Sequence, residues 1–135
     1  MPKFGRTSRE RLETCDHRLQ AIANEVVKVF DCTVVCGHRN KEDQDKAVAS
    51  GHSKATFPKG RHNAYPSLAL DIVPYPVNWN NLERFCLFAG YFLAVGKKLY
   101  PDVEIIWGRD WGKDWYESDK NKTTFKDYPH FEIRD

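Results

Sequence analysis

Apolar positions recur at helical spacing in the first part of the chain. Thr7 and Glu10 form a capping-box pattern ahead of an apolar stripe that continues to Phe30. This pattern predicts one amphipathic helix of about six turns. A short polar helix is expected over residues 41–50, closed by Gly51, whose missing Cβ suits the left-handed turn beyond a helix end. Its few apolar positions place this second helix on the outside.

Asn80, with Glu83 three residues later, is the predicted cap of the most apolar stretch, which predicts a central buried helix over residues 81–99. Short β-prone runs stand between the helical patterns. They predict four strands, over residues 32–36, 67–73, 103–107 and 130–133. Because helices and strands neither alternate strictly nor segregate, we predict an α+β fold with a mainly antiparallel central sheet and helices packed on it.

Size and charge limit the classes of protein that fit. The 135 residues suit one compact domain over residues 1–135. A net charge of +2 is far from the basic excess of nucleic-acid binders, so no nucleic-acid partner is expected. No apolar run is long enough for a membrane span or a signal peptide. We therefore expect no stable membrane insertion and synthesis in the cytoplasm.

The four cysteines are too few and too scattered for a secreted disulfide framework. We expect reduced and mostly buried thiols. Cys32 and Cys36 should share one face of a strand, which argues against a zinc knuckle at that place.

Three separated positions carry metal-ligand chemistry, namely His62, Asp71 and His130. Two imidazoles and one carboxylate form a known catalytic zinc set that leaves a fourth position for water. A nearby carboxylate must then move the proton, and Asp127, three residues before His130, is the candidate. Glu132 lies on the same strand face as His130 and is either a supporting partner or an alternative base. Five histidines are ordinary for this length, however, so any two of them could be surface or core residues.

Two blocks of sequence, His62–Asp71 and Asp127–Glu132, match in order and chemistry the marks of a metallopeptidase family. The chain resembles the zinc D-alanyl-D-alanine carboxypeptidases and L-alanyl-D-glutamate endopeptidases, which include single-domain phage endolysins. Supporting likenesses are Gly37–Gln44, similar to the family's Gly-x-Arg-x4-Gln, and Trp107–Trp111, similar to its Trp-Gly-Gly-Asp-Trp. Eight residues separate His62 from Asp71, two more than usual in the family. Because side chains alternate between the two faces of a strand, an addition of two residues keeps Asp71 on the same face.

The resemblance implies a fold of the hedgehog/D-Ala-D-Ala-peptidase type and a Zn²⁺ cofactor. It implies that Arg39 contributes to substrate carboxylate or oxyanion binding and that Gln44 lines the same cleft. The catalytic residues would then be Asp127 and Arg39, and the metal ligands would be the two histidines and Asp71 named above. A planar fork of N–H donors suits both a carboxylate and developing negative charge.

The resemblance also implies hydrolysis of the L-alanyl-D-glutamate bond in the peptidoglycan stem peptide by a bacteriophage endolysin. D-Ala-D-Ala carboxypeptidase activity is the alternative within the family, and a non-catalytic cell-wall-binding module is an alternative outside it. We expect a monomer that reaches the cell wall through a permeabilised membrane.

The remaining histidines have simpler expected roles. We predict that His17 is a surface residue, that His38 is a loop residue and that His52 meets the C-terminal end of a helix dipole. Three tryptophans either form an aromatic wall for substrate or fill the core: Trp107, Trp111 and Trp115.

Overall fold

The structure is a computed structural model that describes residues 2–111 and 125–134. Within these ranges the helices are α1 (Arg6–Leu12), α2 (His17–Val26), α3 (Lys41–Ala49) and α4 (Leu82–Leu99). A short 3-10 turn spans Arg61–Asn63. The strands are β1 (Cys32–Cys36), β2 (Ala69–Pro74), β3 (Glu104–Trp107) and β4 (His130–Arg134).

The strands form one sheet in the order β1-β2-β4-β3, and every neighbouring pair is antiparallel. This confirms the predicted α+β class and the antiparallel sheet. The apolar residues of one sheet face join α2 and α4 in the hydrophobic core. On that face Phe131 of β4 meets Phe92 and Phe88 of α4, with ring centroids 4.1 and 6.3 Å apart. Burial of these rings fixes the helix against the sheet.

The first helix of the sequence prediction is two helices. The chain leaves α1 after Leu12, and Cys15 forms a parallel bridge with Ser67. Two backbone hydrogen bonds of 2.8 Å hold this bridge, from Asp16 N–H to the Ser67 carbonyl and from Ser67 N–H to the Thr14 carbonyl. Asp16 then caps α2 by accepting from the backbone N–H of Arg18. A distant segment therefore takes backbone groups that a continuous helix would have used.

Two predicted caps are also wrong. Helix α1 begins after Gly5 without a side-chain cap, so Thr7 lies inside the first turn. In α4 the side chain of Asn81, one residue after the predicted Asn80, accepts from Arg84 N–H. Helix α3, which is the predicted short polar helix, ends as predicted, since Gly51 adopts a φ of 82°.

Helix α4 is buried along one face only. Its face toward the sheet carries Phe85, Phe88, Ala89, Phe92 and Gly96. Leu87 on the opposite side and Leu82 and Leu99 at the two ends are exposed, so the predicted central helix is buried along one face rather than all round. None of the described helices combines the length and apolarity needed to cross a bilayer.

The prediction that Cys32 and Cys36 share a strand face is also wrong. The pairing of β1 with β2 shifts between Val34 and Cys36, as at a β-bulge. The extra residue rotates the end of the strand, so Cys32 is buried in the core while Cys36 stands opposite Asp71 and lines a cleft. All four thiols are free, as expected.

Candidate functional site

The site lies on the sheet face that α2 and α4 do not cover. Asp71 on β2 and His130 on β4 are direct antiparallel partners, so their side chains stand next to each other on this face. His62 arrives from the 3-10 turn, which is tied to its surroundings by Arg39 N–H donating to the His62 carbonyl at 2.8 Å. Leu68 N–H donates to the Arg61 carbonyl at 3.1 Å and closes the loop onto the start of β2.

Three side-chain atoms converge at the centre, and we refer to them as the donor triangle: His62 Nε2, Asp71 Oδ1 and His130 Nδ1. Nε2 of His62 lies 3.2 Å from Asp71 Oδ1 and 3.2 Å from His130 Nδ1, and the third edge is 3.1 Å. All three residues are buried. The structure therefore brings together all three predicted metal ligands, although they come from three separate segments.

The outer nitrogen of each imidazole is already engaged. His62 Nδ1 lies 2.6 Å from the Gly37 carbonyl, which can only accept, so this nitrogen carries the proton. His130 Nε2 lies 2.8 Å from Oε1 of Glu132. In the neutral rings, both inner nitrogens consequently present lone pairs to the centre of the triangle. Such outer hydrogen bonds orient histidines at metal sites.

The electrostatics of the donor triangle favour positive charge at its centre. Burial alone would raise the pKa of Asp71, but the two neighbouring imidazoles hold this pKa well below its usual range. Burial alone would lower the pKa of His62, yet the charge and hydrogen bond of Asp71 raise it to about 10. A buried carboxylate here requires a cationic partner, either protons on the rings or a metal ion.

The dimensions of the donor triangle also suit a metal ion. Metal–donor distances of about 2.0–2.1 Å in a tetrahedral site give donor–donor edges of about 3.3–3.4 Å. The observed edges of 3.1–3.2 Å are close to that value. Two groups of residues with suitable ligand atoms share Asp71; one adds Asp127 and His130, and the other adds His62 and Cys36. The three short edges make His62, Asp71 and His130 a further set that could hold a cation.

Asp127 stands beside the donor triangle. Its Oδ2 lies 3.9 Å from His130 Nδ1. Burial, followed by the negative charge of Asp71, raises the pKa of Asp127 to about 6. A carboxyl group with such a pKa can accept and release a proton near neutral pH.

Gly108 makes the close approach of Asp127 possible. A Cβ at this position would meet the Asp127 carbonyl oxygen and would lie 2.9 Å from His130 Cβ. Gly108 N–H donates to the His130 carbonyl at 2.7 Å, and Asp127 N–H donates to the Gly108 carbonyl at 2.8 Å. The Trp-Gly segment that the sequence analysis identified thus positions Asp127 and His130 next to each other. Only the fold shows this role.

Arg39 reaches the donor triangle from the loop after β1. Its Nη2 donates to Asp71 Oδ2 at 3.1 Å, and its Nη1 lies 3.4 Å from Gln44 Oε1. Gln44 is buried and donates to Ser53 Oγ at 2.8 Å and to the Ala55 carbonyl at 2.6 Å. Gln44 lines the same cleft as Arg39 and joins Arg39 to the following loop.

Glu132 lies behind His130 rather than at the centre. Its second carboxylate oxygen accepts from Nε of Arg134 at 3.0 Å. Of the two roles that the sequence left open, this position corresponds to the supporting partner. Sequence reasoning missed Gly37, whose carbonyl orients His62. No local pattern marks a backbone carbonyl for such a contact.

The tryptophans separate into different environments. Trp107 is buried in the core and donates from Nε1 to the Tyr128 carbonyl at 2.7 Å. Trp111 lies beside His130, with ring centroids 5.3 Å apart. Trp115 lies outside the described residues. Of the two alternatives left open for the tryptophans, Trp107 therefore fills the core and Trp111 lines a cleft at the site.

The other histidines lie outside the donor triangle. His17 is exposed, as expected, with 81% of its side chain accessible. Nδ1 of His38 lies 3.0 Å from the Ala64 carbonyl, as expected for a loop residue with a hydrogen bond. His52 N–H donates to the Ala47 carbonyl at the end of α3, while its ring contacts Ser50.

Two clefts meet at the site. The larger, of about 890 Å³, has a wall of Trp79, Leu82 and Phe85, and we call it the apolar groove. The smaller, of about 370 Å³, contains Lys54, Arg61 and Arg134, and we call it the basic groove. Arg39 and Asp127 line both. An extended substrate can therefore pass across the site from one groove to the other.

Comparisons with known proteins agree with this architecture. The model of a family described as phage L-alanyl-D-glutamate peptidase matches residues 1–134. Among solved structures, the L-Ala D-Glu endopeptidase ChiX of Serratia marcescens aligns with a TM-score of 0.72 and 22% identity. The alignment covers 94% of this chain and 86% of that chain, and shows a shared fold. A search of curated proteins gives no significant match.

Proposed function

Since the chain belongs to the phage L-alanyl-D-glutamate peptidase family, we propose that it hydrolyses the L-alanyl-D-glutamate bond in the stem peptide of peptidoglycan. The observation that carries this proposal is the donor triangle beside Asp127. The proposed metal ligands and the proposed proton carrier are adjacent at the meeting point of the two grooves, where a peptide amide can lie.

Zinc is the proposed cofactor, held by His62, Asp71 and His130. Two imidazole nitrogens and one carboxylate oxygen suit this ion and leave one position open when it is bound tetrahedrally. When bound, zinc supplies Lewis acidity toward the scissile carbonyl and lowers the pKa of a water molecule. Glu132 supports this set by fixing the ring of His130, as the Gly37 carbonyl does for His62.

Asp127 is the proposed general base and then general acid. Its carboxylate takes a proton from the attacking water and passes one to the amine nitrogen of the departing D-glutamyl residue. Its position next to the donor triangle, 3.9 Å from His130 Nδ1, supports this assignment.

Arg39 is the proposed donor to negative charge on the substrate. Its guanidinium borders both grooves while one nitrogen is held by Asp71. N–H donors in this place suit the oxyanion that develops at the carbonyl. Gln44, which lines the same cleft, is proposed to position Arg39 and to contact substrate there.

Digestion of purified peptidoglycan tests the proposal. We expect released peptides with new amino-terminal glutamate, identified by mass spectrometry, and loss of release when a chelator removes the metal. Asp127→Ala should retain bound zinc and lose cleavage. Release of free D-alanine would instead identify the carboxypeptidase alternative, and wall binding without any cleavage would identify a binding module.

We further propose that the protein acts as a monomer and reaches the cell wall after the membrane has been permeabilised. Membership of a phage peptidase family supports this route. Lysis of cells that express the protein, occurring only after their membrane is permeabilised, would support the route, and light scattering would test the monomer.

A further inference from the structure

The two grooves differ in charge as well as in shape. The charged residues of the apolar groove are balanced, three basic and three acidic: Arg39, Lys46, Lys126, Asp43, Asp71 and Asp127. Those of the basic groove are four basic and two acidic: Arg39, Lys54, Arg61, Arg134, Asp127 and Glu132. An anionic part of a substrate is therefore favoured in the basic groove.

Arg61 is the cation of this groove with the most hydrogen-bonding capacity left. Its Nε lies 3.7 Å from Glu132 Oε2, which is too long for a hydrogen bond. That oxygen already accepts from Arg134 at 3.0 Å. Among the described residues, the Arg61 guanidinium makes no hydrogen bond, and its side chain is 39% exposed. Its planar set of N–H donors can thus receive a carboxylate in a two-point contact.

The neighbouring groups complete an anion-binding rim. Lys54 Nζ lies 4.9 Å from the ring centroid of Phe125, and the Arg134 guanidinium lies 5.8 Å from that of Trp111. The two rings are themselves stacked at 5.9 Å. Contact with an aromatic face holds Lys54 at the groove without neutralising its charge, whereas Arg134 also pairs with Glu132.

Resting on the proposed function, we propose that Arg61, assisted by Lys54, binds the free carboxylate of the D-glutamyl residue. A glutamyl residue has two carboxyl groups, and at most one of them continues the peptide chain, so the other is free and ionised. Because Arg61 adjoins His62 in the 3-10 turn and lines the basic groove, this assignment places the glutamyl side of the scissile bond in that groove. Arg61 is thus a specificity-determining residue.

Two synthetic peptides that contain L-alanyl-D-glutamate test this assignment. They differ only in the free carboxyl group of the glutamyl residue, which is a carboxylate in one and a primary amide in the other. We expect the zinc-loaded wild type to prefer the carboxylate peptide by about 10- to 100-fold in kcat/KM, the range of a charge-assisted hydrogen bond. Arg61→Gln should abolish the preference and Arg61→Lys should restore part of it.

Lys59→Gln is the matched control because it removes an exposed positive charge two residues from Arg61 that lines neither groove. It should keep the preference. Equal hydrolysis of both peptides by the wild type, or an equal loss of both in Arg61→Gln, would overturn the assignment while the endopeptidase function stands.

Hydrolysis of neither peptide would count against the proposed function, and calorimetric binding to the wild type then decides the assignment. Tighter binding of the carboxylate peptide that is lost in Arg61→Gln would uphold it. Binding without a preference, or no binding, would reject it.

Discussion

The two faces of the sheet are built from the same strands but depend on different physics. On the face toward α2 and α4, Leu70, Ile72 and Phe131 are fully buried among other apolar side chains. On the other face, Asp71 and His130 alternate with them along β2 and β4 and are also buried. Successive residues of one strand thus enter an apolar core and a polar cluster.

Because of this difference, substitutions on the two faces of the sheet should have different effects. Apolar packing is non-directional, and its free energy scales with the area and volume that a substitution removes. A buried polar cluster is directional, because removing one partner leaves the others unsatisfied. We therefore expect conservative substitutions to lower mainly stability on the core face and mainly activity on the site face.

Asp71→Asn should have the largest effect. The substitution keeps the shape but removes the charge that both imidazoles and Arg39 Nη2 face. Hydrolysis should fall about a thousand-fold or more, equivalent to about 4 kcal/mol, and zinc content should fall with it. Metal analysis and peptidoglycan digestion measure both. Retention of full metal content and activity would show that the donor triangle is not the catalytic centre.

Gly108→Ala should come next. The added Cβ meets the Asp127 carbonyl and forces apart two backbone segments that carry Asp127 and His130. A displacement of about 1 Å in such a site can cost about 100-fold in rate. We therefore expect kcat to fall by about this factor, while circular dichroism shows that the protein is still folded.

Gly90→Ala is the control for Gly108→Ala. A Cβ at position 90 meets nothing within 4 Å, and alanine favours the helix. This variant should be about 0.5–1 kcal/mol more stable and fully active. Equal rates in the two glycine variants would contradict the role of Gly108 in positioning Asp127 and His130.

Glu132→Gln should have a smaller effect that is confined to metal affinity. Gln retains an oxygen for His130 but loses the charge that supports the ring nitrogen. Zinc affinity should fall about 10- to 100-fold, as for other supporting residues, and competition with a chromogenic chelator measures it. Glu25→Gln, at an exposed pair with Lys28, should leave zinc affinity unchanged. A loss of activity at saturating zinc would instead favour Glu132 as a base.

The parts of the fold that could be predicted are those with a local cause. Period-two alternation correctly places Glu132 on the strand face of His130, and the positive φ of Gly51 ends α3 as expected. The break after Leu12 could not be predicted because it depends on pairing with Ser67, over fifty residues away. Cys36 turns away from the face of Cys32 because of a β-bulge, and no residue type in the strand indicates this bulge.

The features of the site likewise separate into those with a local cause in the sequence and those that depend on distant contacts. The resemblance of the motifs suggests the ligand types, and the pairing of β2 with β4 explains why two of them are adjacent. The position of His62 depends on a turn without periodicity, fixed by contacts with Gly37 and Arg39. The excess of positive charge around Arg61 emerges only when Lys54 and Arg134 are brought to the same groove.

Ile72→Val should have the smallest effect and most directly tests the independence of the two faces. Ile72 follows Asp71 in β2, is 0% exposed and lies in the core. Loss of one methylene group should lower the free energy of unfolding by about 0.5–1.5 kcal/mol, measured by urea denaturation of metal-free protein. Zinc affinity and kcat should stay at wild-type values because the backbone that presents Asp71 is held by strand pairing on both sides. A fall in kcat that matches the loss of stability would mean that core packing sets the geometry of the donor triangle, and the division between the faces would then be wrong.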